Sequence, residues 1–579
     1  MLLLAVDALL LLYINAGTGI CIIALLQKLF RQPVSANVLG TVLGGLTFST
    51  VYFNTISFWL PVNYVSLIPL FILSSISFGY NKNLTAAFVT SIKNTGSFLF
   101  SKRFIYATVP VCIMLLYCWL LPPVNADSDG YHYSTIRWFE EYRAVHGLAN
   151  IDGRLAYNSA SFIIQAAYAF TRLTGQSLYP LNGVLVALFY LWMICRILRS
   201  PNLFSALVHF TLLYLLGRVL LVNMSSPTAD VLVLVCLAYS IIQIFDAVIF
   251  RKPPSYFLLP SIILLYAVIA KLSAYPALLL LLLILGQLKK QHALSFILTR
   301  LCIIGIAIYV PWLCRNIILS GYLLYPVPFI DIFNADWKAP ENVLLLDYIY
   351  IKRLPINFDD DLVRIKPCPF PYWIIPWMQK QTTNGFLGEL VILLTAVCSP
   401  LYWLGIKLGK IKIYQSAVYV WAVIYACIII WLINVPEYRF GIVFISFAVT
   451  MPFLYTAQAI QSKISARPLI IVLLMLQSAW YIYTAPGKKN IQQFSFGHFL
   501  VYPLRDKQYY FNNDTATFNY TLLNSGIRLY HQDSTHNCIN TNLPCMIYKY
   551  GTVEMRGANV ADGFKNVRDD VSKNYPFVK

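Results

Sequence analysis

The chain has 579 residues, of which 59% are hydrophobic and only 12% charged. Its mean hydropathy is +0.65. Ordinary globular domains run at roughly 45–50% and 25% on a similar count, so a soluble enzyme, a disordered chain, a collagen and a single-span receptor are excluded. About fourteen helices of ~20 residues would use about half of the chain, leaving room for loops and one small domain. Composition thus points to an all-α polytopic membrane protein with 13–14 transmembrane helices.

In chain order, apolar runs predict helices at 3–26, 36–57, 62–80, 105–122, 178–197, 203–222, 229–250, 256–271, 273–288, 296–318, 386–406, 414–433, 439–459 and 468–486. The formal net charge of +19 invites a nucleic-acid reading, but the distribution of that charge argues against it. Lys28, Arg31, Lys82, Lys93, Lys102, Arg103, Arg196, Arg199, Arg251, Lys252, Lys289, Lys290 and Arg300 all fall in alternate connections. The same set continues through Lys407, Lys410, Lys412, Lys463 and Arg467. The positive-inside rule makes that face cytoplasmic and puts both termini outside. Nucleic acid is therefore not an expected partner. The first helix lacks a basic leader and a small-residue cleavage site, so it reads as a retained span.

The outward segments carry the polar chemistry. In the loop 123–177, Tyr131, Thr135, Trp138, Tyr142 and Val145 recur at helical spacing, opposite Arg137, Glu140, Glu141 and Arg143. That pattern predicts an amphipathic helix lying in the membrane interface, and 157–172 reads as a second. Asp127 and Asp129 follow the preceding span directly. Either could cap the next helix or serve as a fixed, ionised carboxylate. Asp230 stands at the outer end of a helix in SSPTAD, Lys271 beside an outward corner, Arg315 in PWLCRN and Arg439 in NVPEYRF. Any one of these cations could simply snorkel to the interface. Together they put carboxylates and cations from distant helices at one surface, suited to an anionic lipid-linked substrate. The loop 319–385, with its Trp, Tyr and Pro clusters, suits either sugar stacking or interface packing.

The region 487–579 is polar and reads as a small outward domain of mixed structure, where His531, Asp533 and His536 are expected at the surface. Cys538 and Cys545 lie within it in CINTNLPC. An outer-face disulfide is expected, with free thiols or a metal held together with the nearby histidines as alternatives.

A long first outward loop with an Asp just after its helix, then Tyr131, resembles the GT-C glycosyltransferases that use polyprenyl-phosphate sugars. More narrowly, Asp127, Tyr131, His132, Trp138, Glu141, Tyr142, Gly147, Leu148, Asn150, Arg154 and Leu155 resemble a family of bacterial multi-span proteins. SPTAD, the Lys271 segment, PWLCRNIILSGYLLYP, DWKAP, PEYRF and the paired-cysteine tail followed by DGF are similar to the same family. The resemblance spans residues 105 to 565 and implies membrane helices at 1–104, a GT-C-like core at 105–486 and the outward domain at 487–579. It implies Asp127 as the catalytic carboxylate, with Asp129, Tyr131, His132, Asp230, Lys271, Arg315 and Arg439 at the substrate. The implied partners are a polyprenyl-phosphate sugar donor, a glycan or lipid acceptor and membrane lipids, at the periplasmic face of a bacterial inner membrane. A divalent cation, Mg or Mn, is left open, because some GT-C enzymes use one and others do not. A polysaccharide polymerase or ligase, and a lipid or oligosaccharide transporter, are the competing functions.

Overall fold

The computed structural model describes residues 1–353, 415–459, 467–485, 519–531, 542–546 and 551–569, with Cys538 and isolated positions between 374 and 408. The helix expected at 386–406 lies largely outside the described residues, as do Asp533 and His536. The helices are α1 (Leu2–Phe30), α2 (Val38–Ile56), α3 (Leu67–Tyr80), α4 (Lys82–Leu99), α5 (Ile105–Leu120) and, in the first long loop, α6 (Tyr133–Glu141), α7 (Ala160–Ala167) and α8 (Thr171–Thr174). Then come α9 (Pro180–Leu198), α10 (Leu203–Val222), α11 (Asp230–Ile249), α12 (Leu258–Ala270), α13 (Leu279–Leu288), α14 (Leu294–Ser320), α15 (Glu341–Arg353), α16 (Gln415–Asn434), α17 (Tyr438–Ala459) and α18 (Arg467–Thr484).

Among the described residues, 5 helices are long and apolar enough to cross a membrane, or 6 when the bent pair Tyr64–Tyr80 and Lys82–Leu99 counts as one span. Shorter apolar helices at Ile105–Leu120, Pro254–Ala270, Leu272–Leu288, Val418–Asn434, Tyr438–Leu454 and Pro468–Thr484 complete the bundle. This is consistent with a multi-pass membrane protein, with fewer full-length spans than the expected thirteen or fourteen. The shortening has local causes. The helix expected at 273–288 opens as a 3-10 turn, Leu272–Leu278, with Pro276 inside it, because proline cannot donate the α-helical hydrogen bond.

The sequence reading also took 82–104 for a connection, whereas α4 occupies most of it, bent 97° from α3. Nor does the N-terminal segment stand apart: α2 packs on α7, α12 and α14 as well as on α1. Gly45 allows the closest α1–α2 approach, since a Cβ there would come within 1.8 Å of the Asn15 carbonyl oxygen.

On the loop-bearing face, α6 departs from expectation. It is buried on both sides, with Trp138 and Arg137 each 1% exposed, so it is a core helix and not an interfacial one. Its polar face is satisfied internally. Glu140 accepts from the Thr171 backbone N at 2.9 Å and from Thr171 Oγ1 at 2.6 Å, while Arg137 Nη2 donates to Glu141 Oε1 at 2.6 Å.

The C-terminal strands are β1 (Tyr520–Leu522), β2 (Arg528–His531), β3 (Cys545–Met546), β4 (Gly551–Met555) and β5 (Phe564–Asp569). They form a β1-β2-β3 sheet and a β4-β5 hairpin. Cys538 and Cys545 form a disulfide, and His531 Nε2 faces Thr521 Oγ1 at 2.7 Å on the neighbouring strand. The hairpin is moored to the first loop: Phe564 N donates to His146 O at 2.9 Å, and Arg556 clasps Asp336 at 2.8 and 3.1 Å.

Candidate functional site

After α5 the chain turns at Asn125, whose side chain accepts from Asp127 N at 3.0 Å. Asn125 thereby does the capping, and the capping reading of Asp127 fails: its carboxylate makes no cap bond to the following turn. Instead Asp127 Oδ2 accepts from Arg439 Nη1 at 2.8 Å. The same Nη1 lies 3.6 Å from Asp230 Oδ2, and Arg439 Nε lies 3.7 Å from Glu437 Oε1. Lys271 Nζ donates to the other oxygen of Asp230. Four charged groups from loop and helix ends 312 residues apart in sequence therefore form one chain, Asp127–Arg439–Asp230–Lys271.

Each member is positioned by polar residues that carry no charge. Asp230 opens α11, where the helix dipole favours a carboxylate. The turn before it is pinned by Asn182 Nδ2, which donates to the carbonyls of Ser226 at 2.6 Å and Thr228 at 2.8 Å. Gln165 Nε2 donates to Pro227 O at 2.9 Å. Lys271 sits in extended backbone between α12 and the 3-10 turn. That break is held by Ser159 Oγ donating to Ala270 O at 2.6 Å. Arg439 begins α17 after Pro436, with Trp431 Nε1 on Glu437 O at 2.9 Å and Trp377 Nε1 on Pro436 O at 3.0 Å. Gly441 lets α17 meet Trp431, since a Cβ there would lie 2.4 Å from the indole. Sequence reasoning missed Asn125, Gln165, Asn182 and Ser159. Asparagine and glutamine inside otherwise apolar helices were the signal available for two of them.

Along the chain of charges Asp230 is closed off, while Lys271 beyond it is 26% exposed. The Asp230 side chain is 5% exposed, those of Asp127 and Arg439 35% and 34%. Burial alone would raise the Asp127 carboxyl, but the Arg439 charge and hydrogen bond together with the other neighbouring positive groups outweigh it and hold the group below the usual carboxylate range. His132 lies beside the cluster with Nδ1 3.3 Å from Ser128 Oγ. Burial lowers its pKa to about 3, so it is a neutral imidazole at physiological pH. Burial, then the Asp127 charge, raises the Tyr131 phenol, which keeps its proton. The Lys271 ammonium also rests 4.1 Å from the Phe440 ring centroid.

Arg315 is not a member of this network. It is 1% exposed and stacks 4.0 Å over Phe139 under the first loop. Asp129 is half-buried in the π turn Ser128–His132. Next to Tyr131 a second polar group gathers: the Arg154 guanidinium lies 5.4 Å from the Tyr131 centroid, and Tyr325 donates to Asp347 at 2.6 Å. Burial raises the Asp347 pKa to about 7 against the opposing hydrogen bond from Tyr325. Among the described residues no group of three or more His, Cys, Asp or Glu is placed to hold a metal. Asp127 and Asp230, the carboxylates best placed for a cation, already share Arg439, so the donor set does not fit a divalent ion.

Residues 1–446 match the family described as Domain of unknown function (DUF8201). The chain belongs to that family. The match takes in Asp127, Asp230, Lys271 and Arg439 and stops short of the C-terminal strands. No curated protein and no solved structure matches the chain.

Proposed function

We propose that this family member is an integral-membrane glycosyltransferase. It would move a sugar from a polyprenyl-phosphate donor to a hydroxyl of a cell-envelope glycan or lipid, at the periplasmic face of a bacterial inner membrane. The observation that carries this reading is the half-open Asp127–Arg439 pair backed by buried Asp230 and partly exposed Lys271. It offers an ionised base and two cations within one reach, on the face opposite the basic connections.

In the resting state Arg439 keeps Asp127 ionised. An arriving donor phosphodiester competes for Arg439, and as the guanidinium turns to phosphate the carboxylate becomes more basic. The acceptor oxygen then bonds to the sugar C1 as the C1–O bond to phosphate breaks, and the acceptor proton passes to Asp127. Polyprenyl phosphate leaves with the bonding pair, and Arg439 and Lys271 balance its added negative charge. Attack opposite the leaving group inverts C1. Asp230 holds both cations in place without meeting substrate, as its burial requires.

The test is transfer of labelled sugar from pooled lipid-linked sugars to envelope acceptors in vesicles, by the native chain and by Asp127→Asn. A fall of about 10²–10⁴ with unchanged folding is expected, the usual worth of a positioned base. Equal transfer by both proteins would refute the role of Asp127. Movement of the lipid-linked sugar across the bilayer without transfer would replace the enzyme by a transporter.

A further inference from the structure

At the opposite, basic end of the bundle, α4, α9, α10, α11 and α17 enclose a cleft of about 1360 Å³. Its deep walls are apolar, formed by Leu191, Trp192, Ile242, Phe245, Phe447 and Leu454. Packed interiors hold few voids larger than a water molecule, and an apolar-walled space of this size does not hold water well. Such a space suits an apolar occupant.

The rim differs from the walls. Arg196 is matched by Asp246 through contacts of 2.6 and 3.0 Å. His209 Nδ1 lies 2.8 Å from the Ser205 carbonyl, to which it must donate, so its Nε2 is an acceptor facing Arg196 at 3.4 Å. Arg199, exposed at the rim, has no carboxylate partner among the described residues; its guanidinium rests 4.3 Å over Phe98. The cleft thus combines apolar depth with one uncompensated positive charge at its mouth.

The mouth is bounded by α4, turned 97° from α3. This helix presents Ser91, Thr95 and Gly96 to the cleft, is otherwise mostly exposed, and has Lys82 and Lys93 but no acidic residue. Lys102 and Arg103 follow it directly. An amphipathic basic helix at a right angle to its span is the arrangement that lies on an anionic bilayer surface.

We propose that this cleft binds an anionic glycerophospholipid from the leaflet on the basic face, with its phosphate at Arg199 and its chains along Leu191, Ile242 and Phe447. The proposal rests on the membrane placement above and not on sugar transfer. Flotation of the reconstituted chain with vesicles tests that placement separately.

The experiment purifies the chain in detergent and measures retained phosphatidylglycerol and phosphatidylcholine by native mass spectrometry after exposure to equimolar mixed vesicles. Three proteins are compared: the native chain, Arg199→Gln and Leu191→Trp, each checked for monodisperse elution. The native chain should retain phosphatidylglycerol preferentially. Arg199→Gln should cut that preference about fivefold, the worth of one basic residue at an anionic surface, and Leu191→Trp should lower retention of both lipids by occupying the cleft. Equal retention of the two lipids by the native chain would overturn the proposal. So would unchanged behaviour of both variants, or displacement of the bound lipid by equimolar polyprenyl phosphate.

Discussion

Two junctions on the loop-bearing face tie together segments far apart in sequence, and they do so by opposite physics. The first is the charged chain Asp127–Arg439–Asp230–Lys271. The second is held mainly by uncharged groups, with the Arg556–Asp336 pair on its exposed side, and lies where the first loop meets the C-terminal hairpin. There Asn150 Nδ2 lies 3.1 Å from Gly147 O, 2.9 Å from Trp337 O and 3.3 Å from Phe564 O. The His146 ring meets Trp337 edge-on at 4.6 Å, and the Trp138 ring meets Phe564 at 5.9 Å. The second junction is closed: Asn150 Nδ2 lies within reach of three backbone carbonyls, and Gly147 and Gly563 sit where no side chain fits. The charged one keeps Asp127 and Arg439 about a third exposed, paired with each other yet accessible. A closed joint held mainly by uncharged groups ties segments together; charge left partly open marks a place where another molecule can enter.

The sharpest way to break this contrast is to substitute within the charged chain by depth. Asp127→Asn should abolish most transfer, by about 10²–10⁴, while shifting stability little, because half-open ion pairs are worth about 0–1 kcal/mol. Asp230→Asn should instead destabilise by about 3–5 kcal/mol, the usual consequence of stripping one partner from a buried pair. It leaves Lys271 and Arg439 beside each other with no carboxylate between them. Denaturant melts of both proteins in detergent, read beside vesicle assays, check this. Equal stability losses would mean that exposure does not separate the two acids.

Next in size is Gly147→Ala. Gly147 has φ +70°, and a Cβ there would lie 2.2 Å from the Phe564 carbonyl oxygen and 2.7 Å from Asn150 Nδ2. The conformation alone costs about 1–3 kcal/mol for a residue with a side chain, and the clash pushes the hairpin off. Faster hydrogen exchange at 564–569 is the expected readout, with the Asp127 side of the face unchanged. Asn150→Ala should act in the same direction and more weakly, since each lost hydrogen bond is worth about 0.5–1.5 kcal/mol.

The sequence exposed the ends of the apolar helices well, because long hydrophobic runs admit few other structures, and Asp127, Asp230, Lys271 and Arg439 were visible as charges at those ends. Their mutual pairing was not, since it depends on turns held by Asn125, Gln165, Asn182 and Ser159, which look like ordinary polar residues. Arg315 carried the same signal as Lys271 yet lies under Phe139, because its position on the face of α14 and not its depth decides where it points. The Tyr131–Val145 pattern misled differently. Amphipathic spacing identifies two faces but says nothing of what covers the polar one, and here Thr171 bonds Glu140 while Arg137 and Glu141 pair with each other. α4 escaped notice because its lysines resemble those of the flanking connections.

The last expected effect is one of pH and comes from Glu140 and Asp347. Burial raises both pKa values to about 7, partly offset by bonds from Thr171 and Tyr325. Ordinary values are about 4.3 and 3.9, so between roughly pH 4 and 7 the folded chain holds protons that the unfolded chain has released. Buried His132, its pKa lowered to about 3, contributes stability that grows as pH rises toward about 6.5, whereas through the same window these two acids contribute stability that falls as pH rises. Asp127 acts in the opposite sense, its depressed pKa adding stability that is lost only as pH falls below the usual carboxylate range. Melting temperatures of the native chain and of Asp347→Asn between pH 5 and 8 isolate that contribution: the native chain should lose ground relative to the variant as pH rises, with Tyr325 still bonded to an oxygen in both. Transfer over the same range should show no limb from Asp127 or His132, whose titrations lie below it. A difference between the two proteins that stays constant from pH 5 to 8 would mean that Asp347 is ionised in the folded chain, and the second polar group beside Tyr131 would then be a charged neighbour of the Asp127 cluster instead of a neutral one.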